Sequence, residues 1–190
     1  MKHTIALLLA GTLVSYGQET NRETVSLETG LGLTTVMTAN HGTLFGQNMF
    51  AGLKKTVFQK DNLTFRTGLA YNGSTFENHL KTNTVNHFIS VPVSVRISAD
   101  TKENTIAPFL EFGLYGKSLV ASQTQYIKKQ SFDGFSTGMR VEVGTMLTQS
   151  AKYSVGVKLS YESDFYSTIK HAGETYKFNN ASIGLEFRLK

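Results

Sequence analysis

The sequence predicts an all-β protein: an eight-stranded antiparallel transmembrane β-barrel, an up-and-down meander preceded by a signal peptide. Three observations predict it. Apolar and polar residues alternate with period two in successive stretches of the chain, as from His87 to Ser98, where Ile89, Val91, Val93, Val95 and Ile97 share one face. The segments between these stretches read alternately as long and short. In most stretches one face is almost free of charge while the other gathers acids and bases.

The elements follow in order. Lys2 and His3 form a short basic start, Ile5 to Val14 an apolar run, and Ser15-Tyr16-Gly17 a small-residue cleavage region before Gln18. This is the zoning of a secretory signal peptide over residues 1–17. A spanning helix needs about 20 apolar residues, more than the run provides. Residues 18–190 suit one barrel domain. The candidate strands are Thr24–Met37, Asn48–Gln59, Leu63–Asn72, Val85–Ser98, Ile106–Leu119, Gly134–Thr148, Lys152–Ser163 and Lys177–Leu189. Each reaches or exceeds the ~9–11 residues that a tilted strand needs to cross hydrocarbon.

Long connections are expected at 38–47, 73–84, 120–133 and 164–176, and short ones at 60–62, 99–105 and 149–151. Short turns at one end and long loops at the other are the habit of outer-membrane barrels. The expected location is therefore the outer membrane of a Gram-negative bacterium.

Charge decides which face meets lipid. The apolar sets include Leu27, Leu31 and Leu33; Leu110, Phe112 and Leu114; and Ile183, Leu185 and Phe187. Opposite them stand Glu28, Arg66, Arg96, Glu111, Lys117, Arg140, Glu142, Lys158, Glu162, Glu186 and Arg188. A Lys or Arg facing lipid at the bilayer midplane costs ~2–4 kcal/mol, against a net stability of ~5–15 kcal/mol for a whole domain. These residues must therefore point into the lumen. An eight-stranded barrel is just wide enough inside for side chains to fill, so they predict a salt-bridged, plugged lumen. Strand two is ambiguous: Lys54 shares a face with Phe50 and Phe58, Lys55 with Met49, Leu53 and Val57, so one lysine must face lipid or snorkel towards an interface, unless a bulge resolves the conflict. Pro92, which cannot donate to a ladder, predicts a bulge or kink in its strand.

Composition narrows the function classes. The chain has no Cys, which removes disulfides and thiolate metal sites, and only 17% charged residues, below the ~25% of soluble domains. The net charge of +5 comes without a basic, aromatic-interleaved block, so nucleic acid is not an expected partner. Outer-membrane lipid and lipopolysaccharide are, with a surface or periplasmic protein as a further candidate. Lys81, Lys128, Lys129, Lys170 and Lys177 lie in or beside the long connections, where lysines can pair with lipopolysaccharide phosphates. His41, His79, His87 and His171 show no metal-ligand spacing, and Ser74, Ser131 and Ser167 no nucleophile–base spacing. No cofactor, metal or catalytic centre is expected. A narrow channel for ions or small solutes is one alternative. A soluble periplasmic lipocalin-like barrel, with its apolar face turned inward around a ligand, is another.

Several motifs resemble the PorT-like outer-membrane β-barrel family of Bacteroidetes, a group of small porin-like barrels. They are His87-Phe88-Ile89-Ser90-Val91-Pro92-Val93-Ser94-Val95-Arg96, Ala107-Pro108-Phe109-Leu110-Glu111-Phe112-Gly113, Gly68-Leu69-Ala70-Tyr71-Asn72-Gly73 and Phe132-Asp133-Gly134-Phe135-Ser136-Thr137-Gly138. The resemblance implies an eight-stranded membrane barrel and no catalytic activity.

Overall fold

The computed structural model describes residues 24–38, 42–77, 83–99, 106–124, 134–150, 152–171 and 174–189. The expected signal segment 1–17 lies outside them. The strands are β1 (Val25–Thr38), β2 (Gly42–Lys60), β3 (Leu63–Glu77), β4 (Asn83–Ser98), β5 (Ala107–Thr124), β6 (Phe135–Gln149), β7 (Tyr153–Ser167), the two-residue β8 (Lys170–His171) and β9 (Glu174–Leu189). Each long strand pairs antiparallel with the next, and β9 returns to β1 from Val25↔Leu189 to Thr38↔Tyr176. The result is a closed eight-stranded barrel with no sheet edge in its wall. Closure satisfies the backbone without water, the condition for a sheet to sit in hydrocarbon.

Side chains are distributed inside-out relative to a soluble protein. Leu31 and Leu33 are each 68% exposed, whereas Arg96 and Glu186 are 0% exposed. The apolar sets named above all face outward, and the interior behind them is largely polar and charged. The inverted arrangement, with an apolar ligand cavity inside, is not the one observed.

The long strands run 14 to 19 residues, well beyond the ~9–11 that cross lipid. The surplus lies mainly at one end, opposite the Asp61-Asn62 turn. The sequence placed long loops there; the ladder instead continues, leaving only 39–41 between β1 and β2 and 78–82 between β3 and β4. The connection 99–106 at the turn end, expected to be short, is longer than either. A strict long–short alternation is thus absent, and the asymmetry lies in strand extension. Backbone pairing continues past the outward apolar face.

Four register shifts adjust the wall. One falls between Thr56 and Phe58 in β2, and it resolves the strand-two conflict. Lys54 is buried inside, Lys55 faces out half-buried, and Phe58, one bulge later, is 45% exposed while Phe50 stays inside. Pro92 carries no bulge: the β3–β4 register is the same before and after it, and only the pairs across from it drop out of the ladder, between Thr67↔Val93 and Ala70↔Ser90. The missing N–H interrupts the ladder without shifting it, and the Thr67 hydroxyl donates to the Pro92 carbonyl at 3.0 Å.

Candidate functional site

The lumen is the candidate site, and it is built in layers. Nearest the turn end, every long strand contributes one charged side chain to a ring. In barrel order these are Glu28, Lys54, Arg66, Arg96, Glu111, Glu142, Lys158 and Glu186, all buried. Four acids and four bases make the ring neutral. Lys54 Nζ lies 3.2, 2.7 and 3.2 Å from Glu28, Glu111 and Glu142. Arg66 bridges Glu111 at 2.6 Å, Glu186 at 3.0 Å and Glu28 at 3.3 Å. Arg96 grips Glu111 with Nε at 2.7 Å and Glu186 with both terminal nitrogens. Lys158 joins Glu28 at 2.6 Å and Glu142 at 3.0 Å.

Every ring carboxylate therefore has at least two cationic partners. Several kcal/mol per ion are needed to strip water from such groups, and multiple charge-assisted hydrogen bonds are what can offset that cost. Phe109 lies under the Arg96 guanidinium, 3.7 Å from centroid to Cζ.

Above the ring sits a second tier. Arg140 contacts Glu142 and lies 3.3 Å from Glu162, with Phe50 flanking both Arg140 and Lys158. Room for that ring comes from Gly30, where a Cβ would fall 2.4 Å from the Phe50 edge. Higher still, Lys117 meets Asp164 at 2.8 Å, amid the rings of Phe88, Tyr115 and Phe178. Tyr115 also donates to Asp164 at 2.6 Å.

The loop end is closed by a cluster the sequence reading did not expect. Val36, Leu44, Phe76, Phe88, Leu119, Ile169, Tyr176 and Phe178 are buried together inside the wall, around a void of about 10 Å³, at the lower limit for one water. The extended strands explain it. Their outward residues there, such as Thr75, Glu77, Asn83 and Gln123, are polar and exposed, so above the lipid belt the ordinary rule of apolar inside returns.

Of the predicted luminal residues, Glu28, Arg66, Arg96, Glu111, Lys117, Arg140, Glu142, Lys158, Glu162 and Glu186 are buried in this network. Arg188 sits at the turn-end rim, with its side chain 22% exposed and 3.3 Å from Glu186. The sequence reading missed Lys54, hidden by the bulge, and Asp164, assigned to a loop. The period-two series Lys158, Ser160, Glu162, Asp164 was the signal that could have found the latter.

Of the loop lysines, Lys170 is exposed on β8, and Lys177 on β9 donates to the Phe165 carbonyl at 3.1 Å; Lys81, Lys128 and Lys129 lie outside the described residues. Ser74, expected in a loop, is buried on β3 inside the barrel. His87 faces outward and hydrogen-bonds Tyr71 through Nδ1 at 2.5 Å. His41, His79 and Ser131 lie outside the described residues.

This architecture is similar to that of solved outer-membrane proteins. Neisserial surface protein A aligns with a TM-score of 0.57 at 13% identity, over 85% of this chain and 95% of that one. A major outer membrane protein from Thermus thermophilus aligns with a TM-score of 0.49 at 10% identity, over 88% and 100%. OprG from Pseudomonas aeruginosa gives 0.48 at 10% identity, over 86% and 95%. At 13% identity the likeness to Neisserial surface protein A is one of fold. No protein-family model matches the chain, and no curated protein matches it by sequence.

Proposed function

We propose that this is an exported outer-membrane barrel that does not conduct and acts through the end bearing the extended strands. The observation that carries the reading is the filled lumen: a neutral eight-residue ion-paired ring below, and an apolar seal above. An ion crossing it would have to displace paired charges and then pass the buried aromatic cluster. Residues 1–17 act as the export signal, the turn end faces the periplasm, and the loop end faces outward. Lys170 and Lys177, with Lys81, Lys128 and Lys129, supply cationic contacts for lipopolysaccharide phosphates, or for a surface partner. The finer assignment to the PorT-like group rests on the motifs around Pro92 and Pro108.

Two experiments test the reading. Membrane fractionation should place the protein in the outer membrane, with heat-dependent mobility on a denaturing gel. Purified protein in planar bilayers should show no reproducible conductance steps. Steps that disappear in Arg96→Ala or Arg140→Ala protein would instead establish the narrow-channel alternative.

A further inference from the structure

The turn end of the lumen holds a polar cavity on the outer side of the charge ring. It has a volume of about 150 Å³, and Thr24, Thr56, Gln59, Asn62, Thr64 and Ser98 contribute to its walls. Arg66 and Arg188 reach it from the barrel interior, and Asp61 stands at its rim.

The buried charges of the lumen balance without Arg188, and Asp61 is the acid that lines the cavity beside it. Among the described residues, the buried luminal acids are Glu28, Glu111, Glu142, Glu162, Asp164 and Glu186, and the buried bases Lys54, Arg66, Arg96, Lys117, Arg140 and Lys158. These balance, leaving Arg188 as a seventh base. Among the described residues it pairs with Glu186 at 3.3 Å, a carboxylate already held by Arg66 at 3.0 Å and by both terminal nitrogens of Arg96. The guanidinium thus lines a small polar chamber as a cation beyond the lumen's paired set. Arg presents five N–H donors in a planar fork matched to oxyanions. Across the ladder from Arg188, the buried Ser154 hydroxyl has no hydrogen-bond partner. The exposed Lys60 and Lys152 add positive charge at this end.

We infer that this cavity is a binding site for a small oxyanion, a phosphate or a carboxylate, held by Arg188 and the surrounding hydroxyl and amide groups. Asp61 opposes the anion and sets a ceiling on its affinity. The site would be open to the periplasm and independent of whether the barrel conducts.

The test uses the full barrel folded in detergent micelles, titrated calorimetrically with inorganic phosphate and, separately, with acetate. The two arms distinguish a tetrahedral from a planar ligand. Arg188→Gln should weaken binding roughly tenfold or more, the scale of a lost charge-assisted contact, and Arg188→Lys should restore part of it. Asp61→Asn should tighten binding. This variant suits the turn, because Asp61 has φ +50°, a conformation that Asn adopts as readily. Heat-dependent gel mobility confirms that each variant is folded. The inference is overturned if neither anion binds the parent protein, or if Arg188→Gln and Asp61→Asn leave the affinity unchanged.

Discussion

The carboxylate of Asp164 accepts the backbone N–H of Phe178 at 3.0 Å, just beyond Ser163↔Asn179, the last backbone pair between β7 and β9. Asp164 is buried as the last inward residue of the series from Lys158, and at the bulge just beyond it Phe165 is unpaired with β6 and 58% exposed. A side chain thus takes over from the ladder where the two strands part. The same carboxylate holds Lys117 and Tyr115, so one residue ties β5, β7 and β9 together beneath the apolar seal.

Asp164→Ala should therefore loosen the loop end specifically. It strands a buried ammonium and a buried phenol, an effect of about 3–5 kcal/mol. Urea unfolding in micelles should show that loss, and hydrogen exchange should show the Phe178 amide losing its protection. Unchanged protection at Phe178 would refute the role given to Asp164.

Lys117 and Asp164 should be coupled. With Phe88, Tyr115 and Phe178 around the ammonium, Met at 117 finds an apolar setting. The double variant Lys117→Met, Asp164→Leu should be less destabilised than the sum of its single changes, because no lone charge remains buried. A double-mutant cycle that closes to zero would contradict this.

In the ring, Glu111 accepts from Lys54, Arg66, Arg96 and the Ser94 hydroxyl, the last at 2.6 Å. Glu111→Ala should cost about 3–5 kcal/mol, or prevent folding into micelles. Glu162→Gln, in the tier above, should cost less, since among the described residues Glu162 has a single ion pair, with Arg140 at 3.3 Å. Comparing the two unfolding midpoints checks the ranking.

Gly138→Ala should lower the thermal midpoint. A Cβ there would meet the Ser163 carbonyl at 2.2 Å and the Tyr115 hydroxyl at 2.3 Å. The carbonyl belongs to the paired wall and cannot swing aside. Overpacking of this kind costs typically ~1–3 kcal/mol.

These relationships show which parts of the fold were legible in the sequence. Where lipid lies outside, alternation is enforced strongly, because a charge facing hydrocarbon is costly. For that reason period and charge together place Leu31, Leu114 and Ile183 outward, and Glu111, Arg140 and Lys158 inward. Bulges broke the reading: a single extra residue near Val57 reverses the facing of everything after it, so Lys54 could not be assigned. Above the lipid belt the driving force changes sign. Val36 and Phe178 turn inward and Thr75 and Glu77 outward, so an argument built on lipid contact ended the strands too early and missed the apolar seal.

The central claim is that the wall carries its apolar face outward to lipid and its charge inward. The chain has no cysteine, so Leu31→Cys and Leu114→Cys each provide a unique site for a nitroxide label on the outer wall. In proteoliposomes, power-saturation measurements on both labels should show high accessibility to oxygen and low accessibility to a water-soluble nickel chelate. Labels at both positions that are reached freely by the nickel chelate would contradict the account.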